Sequence, residues 1–319
     1  MKYKKITDCT LLLITHERPK FLKKSLKYYK NFFANIKVLD SSLQKNNDLK
    51  NQCEYYHCKK KSILQKILLG LSKTKTSYTI ITPDDDFFFP NSIKTGVSFL
   101  KKNPDYVSVS GNFYSFEVIG LLKKFNLMYK NGYKNISDKS PSNRLKKICS
   151  EPMTQMSYSL LKTDTIYKSL LQFKLFKQAN FFEDTITLTH VLFGKHKYLN
   201  INWMVRDGLI NTSYSSSNQS TGLFNYKQLE TDYIFKKFLK SYFNLLNKNN
   251  LRINKKISEK YLKRYFLRSK NLSRTVLRNT FLIKNLKKVY KMFWYGIFFF
   301  RYWLFFSDNE RKFLNLIFK

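Results

Sequence analysis

The sequence predicts an α/β fold in which a mostly parallel sheet is flanked by helices and followed by a basic helical extension. Apolar runs of strand length alternate with stretches of helical spacing through the first half of the chain. Acidic residues directly follow two of these runs, at Asp40 and at Asp84–Asp86. From Asn225 onward the pattern is helical and rich in Lys and Arg. Alternation of strands and helices is typical of βαβ units, which build parallel sheets.

The first half of the chain is predicted to alternate strands with helices. The first helix begins at Pro19, because the fixed φ of proline suits the first helical position. The second helix covers the apolar positions of Ile63–Leu71, and the third begins near Asn91 and ends before Pro104. The predicted strands are Cys9–Ile14, Ile36–Leu39, Gln52–His57 and Tyr78–Thr82.

Further elements are predicted after residue 104. Helical spacing marks Thr163–Lys177 and Ile186–Leu192, whereas 120–157 is polar and is expected to form loops with short elements. The Ser-, Asn- and Thr-rich stretch Asn211–Thr221 predicts a mobile loop. The additional predicted strands are Tyr106–Ser110, Phe113–Ile119, Lys197–Leu199 and Trp203–Arg206. We therefore expect an α/β domain at 1–222 and a helical region at 223–319.

Net charge and cysteine content limit the classes of partner and compartment. The 319 residues include 59 Lys and Arg but 21 Asp and Glu, a net charge of +38. Such an excess calls for an anionic partner, such as nucleic acid, an anionic membrane face or a phosphorylated substrate. A hydrophobic content of 43% excludes general disorder. The 4 cysteines show no zinc-site spacing and no disulfide framework, so a reducing, cytoplasmic compartment is expected.

The acidic cluster Asp84–Asp86 concentrates negative charge at the end of a buried strand. Repulsion between neighbouring carboxylates raises the pKa of at least one of them unless a cation is present. Mg²⁺ and Mn²⁺ prefer carboxylate, phosphate and water oxygens as ligands. Ligands of open α/β sheets bind at the carboxyl ends of the strands, where this cluster and Asp40 both fall. An acidic turn that caps the following helix is the structural alternative.

The segments Thr10–Leu22, Val38–Ser42, Tyr78–Pro90 and Phe182–Asp184 follow one another along the chain. Together they resemble nucleotide-sugar glycosyltransferases of the GT-A (Rossmann-like) fold, in particular family-2-like bacterial enzymes that build surface polysaccharides. Thr10–Leu22 resembles the opening strand and turn of that family, and Val38–Ser42 resembles its second strand. Tyr78–Pro90 resembles the strand and metal-binding D-x-D region. Phe182–Asp184, followed by a helix, resembles the "ED" segment. Their order along the chain also agrees with the family.

The resemblance implies roles for the acidic residues. Asp84 and Asp86 are the favoured pair around a Mn²⁺ or Mg²⁺ ion, with Asp85 as a third candidate ligand. A metal held there would stabilise charge on the departing diphosphate. Asp184 corresponds to the general base of inverting members, and the helix N-terminus would favour its ionised form. A simple helix cap is the alternative for Asp184.

The resemblance also implies contacts with the donor. Asp40 would contact the base or ribose, although an ordinary Asx turn with the serines that follow is equally open. Thr15, Glu17 and Arg18 lie in the first turn, where a cation can meet phosphate; a solvated surface arginine is the alternative for Arg18. Arg206, just before the polar loop, would clamp the diphosphate when that loop closes.

The implied reaction is transfer of a sugar from a nucleotide-diphosphate donor, UDP-sugar favoured, to a hydroxyl of a glycan or lipid-linked acceptor, with inversion. The chain departs from the family at Leu39, where a second acidic residue is common. It also lacks the long transmembrane spans of processive synthases, so addition of a single sugar is expected.

The C-terminal end and the net charge leave alternatives. Basic residues beside the aromatic run Met292–Phe306 predict a helix lying on the anionic inner face of the plasma membrane, unless that run packs in a core of its own. A nucleic-acid-binding protein without catalytic activity is the competing function. The sequence contains no nucleic-acid-binding motif, so no nucleic-acid partner is expected. A sugar nucleotidyltransferase is disfavoured because His16–Pro19 contains no glycine. A non-catalytic scaffold stays open.

Overall fold

The computed structural model describes most of the sheet and its helices. The described residues are 4–49, 53–119, 122–129, 132, 134–150, 156–176, 181–207, 232–267 and 306–318. The predicted polar loop Asn211–Thr221 lies outside them, as does the aromatic run Met292–Phe306 except for its last residue. Within these ranges, no helix has the length and hydrophobicity needed to cross a membrane.

The first half of the sheet is parallel. Strand β1 lies between β2 and β4 and pairs with both in parallel register, and β2 pairs in the same way with β3. Both faces of β1 are covered by helices, which explains why its sequence is a continuous apolar run rather than an alternating one. The strands are β1 (Ile6–Thr15), β2 (Phe33–Asp40), β3 (Glu54–His57) and β4 (Tyr78–Pro83).

The second half makes the sheet mixed rather than mostly parallel. Strands β6 and β9 pair in parallel, but β5, β7 and β8 are antiparallel to their neighbours. The spatial order is β3-β2-β1-β4-β8-β6-β9-β5, with β7 also paired to β6. The strands are β5 (Asp86–Phe88), β6 (Tyr106–Ile119), β7 (Leu122–Leu127), β8 (Leu160–Lys162) and β9 (Lys195–Asp207).

Strands β6 and β9 each replace two shorter predicted strands. Their mutual register shifts at Ser110/Asn112, so an irregularity interrupts the alternation of side chains without ending either strand. Gly111 sits at this point, and a Cβ there would lie 2.5 Å from the carbonyl oxygen of Ile201. The polar interruption in the sequence therefore marks a close backbone approach inside a strand.

The helices begin where local signals predict. Proline occupies the first turn of α1 and α3, and a reciprocal capping box between Ser62 and Gln65 begins α2. The helices are α1 (Pro19–Tyr29), α2 (Ile63–Ser72), α3 (Pro90–Lys102), α4 (Pro141–Ser150), α5 (Thr163–Leu171), α6 (Phe181–His190), α7 (Tyr233–Lys248), α8 (255–267) and α9 (Asp308–Phe318).

Two apolar cores lie on opposite faces of the sheet. The first contains side chains of α1, α3 and α9, and the second contains side chains of α2, α5, α6, α7 and α8. Phe313 of α9 packs edge-on against Phe32, with ring centroids 5.2 Å apart. Phe238 of α7 lies 5.2 Å from Phe173. The described parts of the predicted helical region 223–319 thus complete the cores of the α/β domain.

Candidate active site

The candidate site lies at the carboxyl ends of β1, β2 and β4. The chain runs from β1 outward to β3 and returns to β4 on the other side of β1, so strand order reverses between β1 and β4. Thr15 ends β1 beside Asp40 of β2, and its hydroxyl donates to Asp84 Oδ2 over 2.6 Å. Crevices at such reversals are where open α/β sheets bind ligands. The predicted residues of these strands therefore meet at one edge.

Helix α1 fixes the backbone of the acidic turn. The Ser25 hydroxyl donates to the carbonyl oxygen of Asp84, and the Tyr29 hydroxyl donates to that of Asp86 over 2.7 Å. Both donors lie on the buried face of α1, for which helical spacing predicts packing and gives no sign of these hydrogen bonds. The two hydrogen bonds therefore hold the backbone carbonyl groups on either side of Asp85 in place.

Asp86 forms a buried ion pair with Arg206. The antiparallel register of β5 and β9 places the two residues opposite each other. Arg206 Nε donates to Asp86 Oδ1 over 2.7 Å, and a terminal nitrogen donates to Oδ2 over 2.9 Å. The Asp86 side chain is 0% exposed. Burial raises the pKa of Asp86 to about 6, although the Arg206 charge acts in the opposite direction.

Arg18 lies between the other two carboxylates of the turn. Its guanidinium is 3.1 Å from Asp84 Oδ1, and both terminal nitrogens donate to Asp85 Oδ2 over 3.0 Å. Burial raises the pKa of Asp84 to about 7, against the lowering effects of the Thr15 hydrogen bond and the Arg18 charge. Among described residues, the buried Arg18 Nε has no hydrogen-bond partner. Arg18 is thus part of the site rather than a solvated surface arginine.

The expected bracketing of one cation by Asp84 and Asp86 stays a prediction. Both oxygens of Asp86 accept from Arg206, and the two oxygens of Asp84 contact Thr15 and Arg18, so a cation would share these oxygens with their present partners. Within the described ranges, no group of three or more His, Cys, Asp or Glu side chains could hold a metal ion. Asp85, with 18% of its side chain exposed, is the carboxylate of the turn with most room for a hydrated cation. Mg²⁺ needs one or two carboxylates when phosphate supplies the other ligands, so Asp85 with one neighbouring carboxylate of the turn meets that requirement.

Asp40 and Glu17 are held within the turns that follow β1 and β2. Asp40 Oδ1 accepts from the amide of Ser42 over 2.8 Å and from its hydroxyl over 2.6 Å, and Oδ2 accepts from the Tyr55 hydroxyl over 2.8 Å. Glu17 has a φ of 53°, and its carboxylate accepts from the amide of Leu43 over 2.5 Å. The Asx turn considered for Asp40 is therefore present. The contacts of Asp40 and Glu17 with a donor stay predictions.

The carboxylates at the start of α6 face different neighbours. Asp184 Oδ1 accepts from the Tyr265 hydroxyl of α8 over 2.7 Å. Glu183 accepts from the Tyr158 hydroxyl, and the Tyr158 ring lies 4.5 Å from the Arg206 guanidinium. The negative charge of Glu183 also contributes to the raised pKa of Asp86. Glu183 is therefore linked to the Asp86–Arg206 pair through Tyr158, whereas Asp184 contacts α8. The sequence alone does not distinguish these two adjacent acidic residues.

Lys66 is a functional candidate that the sequence analysis missed. It lies on α2 among apolar positions, is 1% exposed, and reaches the ends of β1 and β2. Its ammonium donates to the carbonyl oxygen of Thr15 over 3.0 Å and to Ser41 Oγ over 2.9 Å. A charged residue within the apolar stripe Ile63–Leu71 is the sequence signal that could have revealed it, because buried lysines are rare unless paired.

Comparison with known proteins identifies a fold relative. No protein-family model matches the sequence, and no curated protein matches it. A structure of TarS 1-349 from S. aureus matches with a TM-score of 0.51 and 13% identity, covering 84% of this chain and 73% of that chain. The structure of TarS 1-349 in complex with UDP-GlcNAc gives 0.50 and 13%, covering 81% and 72%. At this identity the likeness concerns the fold alone, and it confirms the GT-A type of α/β fold that the sequence predicts.

Proposed function

We propose that the protein is a glycosyltransferase that moves a sugar from a nucleotide-diphosphate donor to a hydroxyl of a glycan or lipid-linked acceptor, with inversion. The observation that carries this proposal is the polar cluster at the strand reversal, where Thr15, Arg18 and the acidic turn converge. It occurs in the fold of a protein whose structure contains UDP-GlcNAc. A UDP-sugar is therefore the favoured donor, and Asp40 would contact its base or ribose.

Arg18 and Arg206 place two positive charges beside the three carboxylates of the acidic turn. A guanidinium presents a planar set of donors that matches phosphate oxygens. Arg206 is 25% exposed at the side chain and precedes the predicted loop, so it would clamp the diphosphate from the other side. Mg²⁺ or Mn²⁺ held by Asp85 and Asp84 would supply further positive charge to the leaving diphosphate.

Removal of the acceptor proton is assigned to the start of α6. Asp184 is the candidate general base. The positive end of the helix dipole stabilises the ionised form of a carboxylate at a helix N-terminus, and an ionised carboxylate can accept a proton from a group within hydrogen-bond reach. The Tyr265 hydroxyl would orient it. Glu183 is the alternative base because of its position near Arg206. Asp184→Asn should abolish transfer while UDP still binds, and Glu183→Gln is the matched comparison. Normal transfer by Asp184→Asn would remove Asp184 as the base.

A donor screen tests the enzymatic function. Nucleotide-diphosphate release is followed with UDP-, GDP-, ADP- and dTDP-sugars in the presence of Mg²⁺ or Mn²⁺. We expect release from a UDP-sugar, and loss of release with EDTA or with Asp85→Ala. Asp105→Asn is the matched control, because Asp105 is an exposed residue paired with Lys195. Turnover that survives both EDTA and Asp85→Ala would refute the metal role, and no turnover with any donor would argue against a transferase.

We also propose that the basic C-terminal region 223–319 associates peripherally with an anionic inner membrane face, which suits a lipid-linked acceptor. A cytoplasmic location at the plasma membrane follows from this proposal. Sedimentation with phosphatidylglycerol vesicles at low salt should exceed that with phosphatidylcholine vesicles and fall as salt rises. Equal sedimentation with both vesicles would contradict it. Truncation is unsuitable here, because Phe313 belongs to the first core.

A further inference from the structure

We propose that Tyr158 is a positioning residue that holds the Arg206 guanidinium in place, so that N–H groups not used by Asp86 are directed at the diphosphate of the donor. The inference deepens the proposed function and rests on it for the identity of the ligand. Tyr158 is 3% exposed, so it acts through Arg206 rather than by contact with the ligand. Holding Arg206 before the ligand arrives reduces the conformational freedom that this side chain loses on binding.

The Tyr158 ring is itself held in place by its neighbours. It belongs to a short 3₁₀ helix, Met156–Tyr158, just before β8. Its hydroxyl donates to Glu183, and its carbonyl oxygen accepts from Nε1 of the buried Trp203 over 2.9 Å. Phe113 packs edge-on against the ring, with centroids 6.0 Å apart and an angle of 88° between the planes. The ring therefore has a fixed position in the absence of a ligand.

Arg206 is held by two different groups. Asp86 contacts one edge of the guanidinium, because Nε donates to Oδ1 over 2.7 Å and a terminal nitrogen donates to Oδ2 over 2.9 Å. The Tyr158 ring lies beside the face of the group, with the guanidinium carbon over the ring at 4.5 Å from its centroid. This distance is within the range of a cation–π contact. Loss of either group would leave the other to hold Arg206 alone.

The pair with Asp86 leaves N–H groups of Arg206 that a ligand can use. A guanidinium carries hydrogen on each of its nitrogens, and a terminal nitrogen carries more than the pair requires. Arg206 also donates to the hydroxyl of Tyr129, a side chain that is 36% exposed. A phosphate oxygen would share Arg206 with this hydroxyl or displace it. The Arg206 side chain is 25% exposed, so a ligand can meet it without moving Tyr158.

Nuclear magnetic resonance of the full-length protein tests the positioning without any ligand. An aromatic ring facing a guanidinium shifts its N–H resonances upfield, and Arg206→Lys identifies the Arg206 signals. We expect the Arg206 Nε–H signal to move downfield in Tyr158→Leu, which removes the ring. It should stay near its wild-type position in Tyr158→Phe, which keeps the ring. No movement in Tyr158→Leu, or equal movement in both variants, would overturn the positioning.

Ligand-observed titrations with UDP and with uridine test the consequence for binding. Tyr158→Leu should weaken UDP binding by about threefold to thirtyfold, the range expected for one cation–π contact. Uridine binding should not change, because uridine has no phosphate for Arg206 to meet. Tyr158→Phe should keep the UDP affinity of the wild type, since the ring is present. Tyr167→Leu, at a half-buried tyrosine of α5, is the matched control.

The outcomes separate this inference from the proposed function. Unchanged UDP affinity in Tyr158→Leu, or an equal loss of affinity for UDP and uridine, would overturn the role of Tyr158 in phosphate binding. A loss in Tyr158→Phe as large as that in Tyr158→Leu would assign the effect to the hydroxyl and also overturn it. If the wild type binds no UDP while the Arg206 signal responds as expected, the proposed function fails and the positioning of Arg206 by Tyr158 stands.

Discussion

Replacing Arg206 by methionine isolates the energetic role of the buried pair with Asp86. Arg206→Met removes the charge and the two hydrogen bonds but keeps a side chain of similar length. The Asp86 carboxylate, which has no exposed surface, then has no cation beside it. A buried carboxyl group without a partner stays protonated, because ionisation would leave an uncompensated charge in the interior.

The size of the effect follows from the pKa of Asp86. Burial raises this pKa from 3.8 to about 6, so the contribution of Asp86 to folding is present below pH 3.8 and declines as pH rises to about 6. Above about pH 6, Asp86 ionises beside Arg206 in the folded wild type, so the decline in stability stops. At pH 8 ionisation beside Arg206 stabilises the folded state by about 2.7 kcal/mol, whereas at pH 5 the protonated form prevails and ionisation adds almost nothing. Arg206→Met should lose this stabilisation, because no cation then favours the ionised form of Asp86.

Urea denaturation at pH 5 and pH 8 measures the difference. Fluorescence of the buried Trp203 reports unfolding. The loss of unfolding free energy caused by Arg206→Met should be larger at pH 8 than at pH 5 by about 2.7 kcal/mol. In an Asp86→Asn background the same substitution should have an effect that does not vary with pH. A loss that is equal at both pH values in the wild-type background would refute the reasoning.

Three further perturbations test the fold and the site. Phe313→Ala should lower the free energy of unfolding, measured in urea, by about 3–5 kcal/mol, because it removes the ring that packs against Phe32. Leu316→Ala, on the more exposed face of α9, should have little effect. Gly194→Ala should lower it by about 1–3 kcal/mol, since a Cβ would lie 2.4 Å from Val107 Cγ1; an unchanged melting temperature would contradict the close approach. Asp84→Asn should remove the decline in stability that Asp84 causes between pH 3.8 and about pH 7, as measured by melting temperature with EDTA present.

The parallel half of the fold could be predicted because its strands are buried on both faces. Cys9–Ile14 and Tyr78–Thr82 differ from β1 and β4 by a few residues at the ends. Strand β5 escaped prediction because its first residue, Asp86, belongs to an acidic cluster that is typical of a turn. Strand β8 escaped because Leu160–Lys162 is too short to show alternation.

The location of the site could be predicted, but the partners of its side chains could not. Acidic residues at strand ends point to the carboxyl edge, and the structure brings Thr15, Asp40 and Asp84 together there. The pairing of Asp86 with Arg206 joins residues 120 positions apart and depends on the register of β5 with β9. No local pattern encodes that register. The pairing of Asp86 with Arg206 is therefore visible only in the folded protein, and a metal ion at Asp86 stays a prediction.

The position of α9 affects the order in which the protein can fold during synthesis. The core that contains Phe32 and Phe125 is completed by Phe306 and by Phe313, Leu314 and Ile317 of α9, which the ribosome adds last among the described residues of that core. Until then the nascent chain has an uncovered aromatic surface. Contacts between residues so far apart in sequence also form slowly, because closing a long loop costs entropy before any packing is gained. We therefore expect chaperones and proteases to compete for this surface until α9 emerges and docks.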